Sequence, residues 1–333
     1  MAEADRLLEL LARASATRLL VVGDAMLDHY VFGDASRLSP EAPVPVVRVE
    51  RDVFRPGGAA NTAVNVRALG ATAELAAVVG DDDHGRRLRS LLAEEGVEVD
   101  GLIVAPDRPT TWKERVLARQ QQLLRLDRET DGELDALAET ELLGRFEEGL
   151  ARADGVILSD YGKGAVTAGL AAEVIRRTAE AAKIVCVDPK ENHFPLYRNA
   201  TSLTPNHYEA ATAAGIAERD DPTLERTGAA LLEMLGSQSV LITWGERGMV
   251  LFSADGSVDR IPTRAREVYD VAGAGDTVVA TFAAALAAGG SHLAAAQLAN
   301  FAASVVVAKV GTATASPEEI EQAVKQYYEE NAS

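Results

Sequence analysis

One short segment, Asp270-Val-Ala-Gly-Ala-Gly-Asp-Thr-Val-Val279, places small residues and a carboxylate where a helix is predicted to begin. The Ala-rich run from Thr277 to Ala288, closed by two glycines, predicts that helix. The turn Gly273-Ala274-Gly275 lets the backbone approach a ligand, and the first amides of a helix have no internal partner, so they can bind an anion. Asp276 beside such an anion predicts a general base in phosphoryl transfer to a hydroxyl. The alternative is a tight turn in which Asp276 only caps the helix.

A second glycine-rich segment, Arg55-Pro-Gly-Gly-Ala-Ala-Asn61, is suited to binding a sugar. Gly57 and Gly58 would let a sugar ring lie against the backbone, and the Asn61 amide carries both donors and an acceptor. Asp24, after the first apolar run, is a candidate to accept hydrogen bonds from two sugar hydroxyls. The alternatives are a glycine-opened helix with a solvated Asn61, and a strand-end turn at Asp24.

Lys163 lies between glycines in Ser159-Asp-Tyr-Gly-Lys-Gly164, directly after a predicted strand. A flexible ammonium group is a suitable point-charge partner for a phosphate. Such a lysine is conspicuous in a chain whose net charge is −18. Arg119 and Arg125 would add bidentate donors if the segment that carries them closes over the site. The alternative is a solvated loop lysine.

Two later segments are candidates for binding a nucleotide. Asn206 and Glu209 have the spacing of a capping box, which is by itself a sufficient structural reason for both. Glu209 would also suit Mg²⁺ or its water shell, because hard cations prefer oxygen ligands. The segment from Thr243 to Gly248, with Gly245 inside it, resembles a nucleotide-loop turn. The sequence contains no P-loop, dinucleotide-binding fingerprint, nucleophile elbow or His-Glu-x-x-His motif, and its five histidines lack metal-ligand spacing.

Composition limits the class of protein. A chain of 333 residues with 47% hydrophobic and 25% charged residues can bury a large core. The net charge of −18 disfavours binding to nucleic acid or to a membrane surface, since both need a basic face. The single cysteine, Cys186, lies in an apolar run, which indicates a buried residue and excludes disulfide frameworks and Cys-rich metal sites. No apolar segment is long enough to span a membrane, so we expect a cytoplasmic protein.

Short apolar runs alternate with helical segments, which is typical of an α/β fold with a mostly parallel sheet. Predicted helices cover Ala59 to Leu69, Arg86 to Glu95 and Glu133 to Arg152. Polar residues follow successive apolar runs, and open α/β sheets bind ligands at the carboxyl ends of their strands. We therefore expect one active-site edge. No linker or repeat divides the chain, so residues 1–333 are expected to form a single domain.

Two stretches interrupt this alternation. Val44 to Val49, flanked by prolines, predicts an edge strand, and Thr110 to Asp127 mixes β-compatible residues with lysine and arginine. They predict a small β lid, covering about residues 33–50 and 108–127. A lid would exclude water from a site in which hydrolysis competes with transfer, or would form a dimer surface. The alternative is a surface hairpin.

Taken in order, these motifs resemble those of the ribokinase-like (PfkB) sugar kinases over roughly Arg18 to Pro317. The resemblance implies a three-layer α/β sandwich with a mostly parallel central sheet and a β lid. It also implies ATP as donor, Mg²⁺ and Asp276 as general base. A K⁺ or other monovalent-cation site would lie near Asp270 and the Gly311 loop, and Lys190 and Asn300 would join the nucleotide-binding residues. The motifs that carry it are Gly23-Asp24, Gly57-Gly58-Ala-Ala-Asn61, Asn206-x-x-Glu209, Thr243-x-Gly-x-x-Gly248 and Gly273-Ala-Gly-Asp276.

Within that family the sequence is most similar to D-glycero-β-D-manno-heptose-7-phosphate kinases. The matching segments are Ser36 to Val46, Lys113 to Asp127, Ser159 to Gly164 and Asp188-Pro-Lys190. The similarity implies phosphorylation of the anomeric C1 hydroxyl in ADP-heptose synthesis for the lipopolysaccharide core. Lys163 and the lid arginines would hold the distal 7-phosphate, and a homodimer through the lid is expected.

The sequence departs from this pattern at Gln120, where relatives usually have Asn, and at Ala272, where they usually have Thr. These departures leave the exact sugar open. Many relatives are fused to a nucleotidylyltransferase domain, and we expect another polypeptide to supply that step here. One alternative is a kinase of another sugar phosphate, such as a fructose phosphate, and another is a degenerate kinase that acts as a sensor. An NAD-dependent Rossmann enzyme is disfavoured by the missing fingerprint turn.

Overall fold

The computed structural model describes residues 2–118, 121–130, 132–217, 221–265 and 267–331. Its strands form two sheets. In chain order the strands are β1 (Arg18–Gly23), β2 (Ala25–Leu38), β3 (Pro45–Gly58), β4 (Thr72–Gly80), β5 (Leu102–Ala105), β6 (Trp112–Ala118), β7 (Gln121–Arg128), β8 (Gly155–Ser159), β9 (Ile184–Asp188), β10 (Ser202–Leu203), β11 (Ser239–Thr243), β12 (Met249–Ser253) and β13 (Val258–Ile261). The helices are α1 (Ala2–Ala14), α2 (Ala59–Ala68), α3 (Asp83–Glu94), α4 (Ala136–Arg152), α5 (Ala168–Glu180), α6 (His207–Ala214), α7 (Asp221–Leu235), α8 (Ala274–Ala287), α9 (His292–Val307) and α10 (Pro317–Glu330).

The large sheet has the order β13-β12-β11-β10-β9-β8-β1-β4-β5. Its pairs are parallel from β11 to β5, and the two pairs that involve β12 are antiparallel. Successive residues of a strand point to opposite faces, and β1 shows this directly. Leu19 and Val21 pack in one core with α1, α2, α8, α9 and α10, whereas Leu20 and Val22 pack in a second core with α4, α5 and α7. The predicted α/β sandwich with a mostly parallel sheet is confirmed.

The lid is a separate four-stranded sheet of order β3-β2-β6-β7, in which β2 and β6 are parallel and the outer pairs are antiparallel. It spans residues 25–58 and 112–128. The first of these segments is longer than the predicted 33–50. Residues 25–32 were missed because burial along β2 does not alternate, so the sequence shows no two-residue period there. Asp24 joins β1 to the lid and Gly58 joins the lid to α2, so the lid is attached at the carboxyl edge of the large sheet.

Helix α8 begins three residues earlier than the sequence predicted, at Ala274 rather than Thr277. Gly273 is its N-cap in the left-handed conformation (φ 78°), and first-turn amides need no intrahelical acceptor, so Gly275 is tolerated there. The other predicted helices are confirmed to within three residues of their starts. Cys186 is buried, as predicted. In the described ranges, none of the helices combines the length and apolarity needed to cross a membrane.

Candidate active site

Asp276 lies in the first turn of α8, where this helix packs against α2, and only 6% of its surface is exposed. Three side chains donate hydrogen bonds to its carboxylate. Asn61 Nδ2 donates to Oδ2 at 2.6 Å, Thr62 Oγ1 donates to Oδ1 at 2.7 Å, and the Tyr161 hydroxyl donates to Oδ1 at 2.8 Å. Because an ionised carboxylate offers about four acceptor positions, Oδ1 is filled and Oδ2 keeps one position for a further proton donor.

The environment of Asp276 suits a base. Burial raises the pKa of Asp276 above that of an exposed aspartate, and the hydrogen bonds from Asn61, Thr62 and Tyr161 lower it in part. A carboxylate that is desolvated and also held by donors is both more basic and fixed in orientation.

Backbone amides next to Asp276 are free to bind an anion. Ala274 N donates to Val271 O at 3.2 Å and Thr277 N donates to Gly273 O at 3.1 Å. Between them, the amides of Gly275 and Asp276 pair with no backbone carbonyl in the described part of the chain. Free first-turn amides at the positive end of a helix stabilise negative charge. The predicted anion-binding turn therefore has the required geometry at these two residues.

Helix α2 positions Asn61 through a second layer of hydrogen bonds. Thr277 Oγ1 donates to Asn65 Oδ1 at 2.6 Å, and Asn65 Nδ2 donates to Asn61 O at 2.9 Å. Asn61 and Asn65 are both buried. Asn61, expected to meet sugar hydroxyls or solvent, uses one of its amide donors to hold Asp276, a contact that the sequence did not indicate. Its role in binding sugar stays a prediction.

Asp24 is buried and its carboxylate accepts three backbone amides of the loop after β8. Tyr161 N and Lys163 N donate to Oδ2 at 2.9 and 3.0 Å, and Ala165 N donates to Oδ1 at 2.9 Å. At most one of its roughly four acceptor positions remains, so the expected pair of hydrogen bonds from sugar hydroxyls does not fit this geometry. Burial raises the pKa of Asp24, and the Asp160 charge raises it further.

Gly57 and Gly58 are required by contacts within the protein. A Cβ at Gly57 would lie 2.8 Å from Asp28 Oδ2, and a Cβ at Gly58 would lie 2.4 Å from Asp24 O. Gly58 also has a φ of 57°, which favours glycine. These glycines thus have a structural role beside β2 and Asp24, and the contact with a sugar ring stays a prediction.

Two of the cations expected to bind a distal phosphate form ion pairs with carboxylates in the lid or directly after it. Lys163 Nζ lies 2.8 Å from Glu129 Oε1, and the other oxygen of Glu129 lies 3.0 Å from Lys113 Nζ. Arg125 Nε and Nη2 donate to the two oxygens of Asp127 at 2.9 and 3.0 Å. Arg119, the remaining candidate, lies outside the described residues. Any phosphate that binds Lys163 must therefore compete with Glu129.

Arg108 is a neighbour of Asp24 and Lys163 that sequence reasoning missed. Its Nη2 donates to Lys163 O at 2.6 Å, and the side chain lines a small cleft with Asp24, Thr111 and Lys163. Burial lowers the pKa of Arg108, and the Asp24 charge opposes this effect. In the sequence, Arg108 is a single arginine in the loop before the lid, and it belongs to no recognised motif.

A polar cavity of about 190 Å³ lies beside the turn that leads into Asp276, with Gly275 in its lining. Four predicted nucleotide-binding residues line it together with Gly275, namely Lys190, Asn206, Glu209 and Thr243. Asp160, Asp188 and Tyr161 complete its polar wall. The structure therefore joins two segments that are far apart in sequence, the start of α8 and the strand ends of β8 to β11.

Carboxylates in this cavity repel one another. Burial raises the pKa of Asp188 well above its usual range, and the charges of Asp276, Glu209 and Asp160 raise it further. Burial also raises the pKa of Glu209, partly offset by its hydrogen bond from Asn206 N and by Lys190. A cation or a positively charged group bound here would relieve this repulsion. Among the described residues, no group of three or more His, Cys, Asp or Glu side chains is arranged to hold a metal ion directly.

The remaining nucleotide candidates have structural contacts. Asn206 and Glu209 form the predicted capping box at the start of α6, which is confirmed. Gly245 and Gly248 have φ values of 57° and 90°, so they shape the turn between β11 and β12. Gly245 lines a separate cleft with Trp244 and α6, outside the polar cavity. Asn300 is buried and its Nδ2 donates to Pro262 O at 2.7 Å, which occupies one of its two donors.

Asp270 and the Gly311 loop are neighbours, as the expected cation site requires. Asp270 Oδ1 accepts Ala272 N at 2.9 Å and Oδ2 accepts Gly311 N at 3.0 Å. This contact closes the loop after α9 onto the segment before α8. The monovalent-cation site itself stays a prediction.

A model of the pfkB family carbohydrate kinases matches residues 16–319. The chain belongs to this family. Family membership makes it a sugar kinase, and it confirms the family and enzyme class predicted from the motifs. It also fits a site in which a buried carboxylate adjoins free helix-terminal amides.

Bacterial proteins with the name Bifunctional protein HldE are similar over most of this chain. The protein of Paramagnetospirillum magneticum is 46% identical over 321 residues, which are 96% of this chain and 66% of the relative. The protein of Geobacter sulfurreducens is 47% identical over 311 residues, which are 93% of this chain and 64% of the relative. The chain thus spans slightly less than two thirds of the length of both relatives.

Solved structures of ribokinase-like proteins share the fold. Arabidopsis thaliana ribokinase, complexed with ribose and ATP, has a TM-score of 0.73 at 22% identity and covers 93% of this chain and 99% of its own. Escherichia coli phosphofructokinase-2, in complex with potassium, has a TM-score of 0.77 at 20% identity with the same coverage. At these identities the likeness concerns the fold alone.

Proposed function

We propose that this sugar kinase transfers the γ-phosphoryl group of ATP to the anomeric C1 hydroxyl of D-glycero-β-D-manno-heptose 7-phosphate. The product would be the 1,7-bisphosphate, an intermediate of ADP-heptose and lipopolysaccharide core biosynthesis. The lid and loop motifs of the sequence and its 46% identity to Bifunctional protein HldE support this choice of sugar. The observation that carries the chemistry is Asp276, a buried carboxylate with one open position on Oδ2 beside two free amides.

In the proposed reaction, Asp276 Oδ2 accepts the proton of the C1 hydroxyl as this oxygen attacks the γ-phosphorus. The amides of Gly275 and Asp276, in the turn that follows Gly273 and includes Ala274, stabilise the negative charge that develops on the transferred group. Asn61, Thr62 and Tyr161 hold the carboxylate in place. Transfer to sugar rather than to water requires a covered site, which is the role proposed for the lid.

ATP is proposed to place its phosphates in the cavity lined by Lys190, Asn206, Glu209 and Thr243. Lys190 Nζ, 3.4 Å from Glu191, is available to neutralise polyphosphate charge. We assign Gly245, Gly248 and Asn300 to the rest of the nucleotide. The two glycines shape the turn after β11, whose last residue Thr243 lines this cavity, and Asn300 on α9 is included because of the family resemblance. The ATP complex of the Arabidopsis ribokinase is consistent with ATP as the donor.

The same cavity suits hydrated Mg²⁺, because its carboxylates offer the oxygen ligands that hard cations prefer. Glu209 already accepts Asn206 N at 2.8 Å, which favours contact through water rather than a direct bond. When bound, Mg²⁺ would neutralise charge on the phosphates. Asp270, next to Gly311, is the proposed ligand of a monovalent cation such as K⁺.

The sugar is proposed to lie between Asp276 and the lid, with Gly57 and Gly58 at the lid's attachment and Asp24 and Arg108 beneath it. Lys163, assisted by Arg125 and Arg119, is proposed to bind the distal phosphate by displacing the lid carboxylates. We further propose that residues 1–333 act as one kinase domain in the cytoplasm and dimerise through the lid.

The decisive experiment is coupled ADP release by the purified protein with Mg·ATP and heptose 7-phosphate, beside fructose phosphates and unphosphorylated sugars. Asp276→Asn, which keeps the shape of the side chain, should lower kcat by roughly 10²- to 10⁴-fold, the usual contribution of a positioned base. Asp255→Asn, in the exposed turn after β12, is the control and should keep wild-type activity.

Asp276-dependent preference for the heptose phosphate would support both chemistry and substrate. Turnover with a fructose phosphate alone would keep the mechanism and reject the sugar. An absence of turnover with every sugar would favour the alternative of a sugar or nucleotide sensor.

A further inference from the structure

Among the described residues, Tyr161 is the one donor to Asp276 that comes from neither α2 nor α8. It follows β8 and Asp160, and its hydroxyl lies 2.8 Å from Asp276 Oδ1. The Tyr161 ring packs against Gly58, where a Cβ would lie 3.4 Å from Tyr161 Cδ2. Tyr161 also lines the polar cavity with Gly275 and Asp188. Tyr161 therefore contacts the carboxylate and also adjoins the cavity.

The backbone around Tyr161 is held by buried carboxylates. Asp24 accepts the amides of Tyr161, Lys163 and Ala165, and Asp160 Oδ1 accepts Gly162 N at 2.8 Å. Asp160 is in turn held by the Tyr197 hydroxyl at 2.7 Å. Moving the Tyr161 ring away from Asp276 by moving this loop would break several hydrogen bonds to charged groups, each worth more than a neutral one.

We infer that Tyr161 is a positioning residue for the general base: its hydroxyl fills the last acceptor position of Oδ1, so that Oδ2 alone faces the sugar hydroxyl. This inference rests on the proposed function, since it assigns a role within that reaction. It also assigns a function to Asp24, which fixes the loop that carries the phenol. The sequence indicated neither role, because Lys163 was the only residue of this segment that it predicted to bind substrate.

The charges around Asp276 set the expected pH effect. Asp28 on β2 and Asp188 at the end of β9 face it with negative charge, and Asn61, Thr62 and Tyr161 face it as donors. Burial and the Asp276 charge hold the pKa of Tyr161 well above its usual range, so the phenol stays protonated and remains a donor. Removing one donor while the neighbouring carboxylates remain should raise the pKa of Asp276 further.

The test compares Tyr161→Phe with Tyr328→Phe. Tyr328 on α10 also contacts a carboxylate, Glu3, but lies in a different part of the fold. Tyr161→Phe should lower kcat by roughly 10- to 100-fold, as expected for one hydrogen bond to a charged group, and leave the KM for ATP unchanged. The acid limb of kcat/KM should move to higher pH by about one unit. Tyr328→Phe should match the wild type in both.

A second measurement does not depend on turnover. Selective ¹³C labelling of aspartate carboxyls, with Asp276 assigned through Asp276→Asn, follows its titration by NMR in each variant. The Asp276 resonance should titrate at higher pH in Tyr161→Phe. If Tyr161→Phe does not fold, 3,5-difluorotyrosine at position 161 keeps the ring and the hydroxyl, and its stronger donor should move the titration to lower pH.

The two hypotheses fail in different ways. A wild-type protein that phosphorylates no sugar, but whose Asp276 titration depends on Tyr161, would overturn the proposed function and keep the hydrogen-bond coupling. An active wild type with kcat, acid limb and Asp276 titration unchanged in Tyr161→Phe would overturn the role of Tyr161.

Discussion

The two oxygens of Asp276 have different surroundings, and this difference decides which oxygen is proposed to accept the proton. Oδ1 accepts Thr62 and Tyr161, whereas Oδ2 accepts Asn61 alone. A carboxylate with both oxygens filled would be a structural cap, and one with both free would be poorly oriented. The sequence left two readings open, a helix cap and a base. The donors from outside α8 favour the base, since a cap would use its oxygens on its own helix amides.

The pH dependence of turnover tests this at the residue scale. Burial raises the pKa of Asp276, and a general base must be ionised to act. Activity should therefore be lost as the pH falls through this raised pKa, at a higher pH than the roughly 3.9 of an exposed aspartate. The measurement is kcat/KM from about pH 5 to 9, at saturating Mg·ATP. An acid limb with its midpoint at or below about pH 3.9, found by extending the profile to lower pH, would contradict a raised pKa of Asp276.

At the scale of elements, the site depends on contacts between segments that each looked ordinary in sequence. The loop after β8 supplies Lys163, and the last strand of the lid leads to Glu129, so the ion pair between them joins sheet edge and lid. The capping box that begins α6 places Glu209 in the polar cavity, so its structural and proposed functional roles coexist. Partly buried pairs of this kind are sensitive to removal of one partner.

Substitutions of Lys163 and Glu129 are expected to change the KM for the sugar phosphate in opposite directions. Lys163→Ala should raise the KM for the sugar phosphate roughly tenfold, because a charged partner of the phosphate is lost. Glu129→Gln should lower the same KM, because the phosphate no longer competes with a carboxylate. The KM for ATP should change little in either variant. Lys325→Ala is the control, because the Lys325 side chain is exposed on α10. Equal changes in both KM values would argue against a substrate-phosphate contact.

The turn after β11 offers a matched pair of glycines for a stability test. Gly248 has a φ of 90° and a Cβ there would lie 2.2 Å from Ile261 O, whereas Gly245 has a φ of 57° and open space around it. Gly245→Ala should cost about 1 kcal/mol of unfolding free energy, and Gly248→Ala about 3 kcal/mol or more. Urea denaturation gives both values. Similar losses in the two variants would mean that the clash at Ile261 is relieved by local movement.

At the scale of the whole molecule, several of the large apolar side chains that are exposed in the described residues lie on the lid. Four of them, Leu38, Val49, Leu124 and Leu126, are 67%, 58%, 51% and 45% exposed. Exposed apolar side chains that form a patch mark an interaction site, and Leu124 and Leu126 are two residues apart on β7, so they point to the same face of the strand. A second copy of the chain is the proposed partner, since pairing through the lids would cover both sites at once.

Light scattering should therefore give the mass of a dimer for the wild type. Leu124→Glu combined with Leu126→Glu should give a monomer, because charge would be buried in the interface. Leu137→Glu is the matched control, since Leu137 is 84% exposed on α4, outside the lid. A monomeric wild type would reject the lid interface, and a control that also dissociates would place the interface elsewhere.

The sequence by itself determined the features that depend on neighbouring residues. Apolar periodicity and turn residues predicted the parallel sheet and its helices, and the contiguous turn before Asp276 predicted where a carboxylate meets free amides. The capping box of Asn206 and Glu209 was predicted for the same reason. Each of these is encoded within a few positions of the chain.

Only the tertiary structure decided what each site residue contacts. Asn61 and Thr62 reach Asp276 across 215 and 214 positions, and Tyr161 across 115. Asp24, which looked like a sugar ligand, is occupied by amides of a loop 137 to 141 positions away. No local pattern encodes such contacts, because they arise when β1, β8, α2 and α8 converge at one edge of the sheet. The sequence indicated which residue types could act at the site, but their contact partners depended on how the layers of the fold pack.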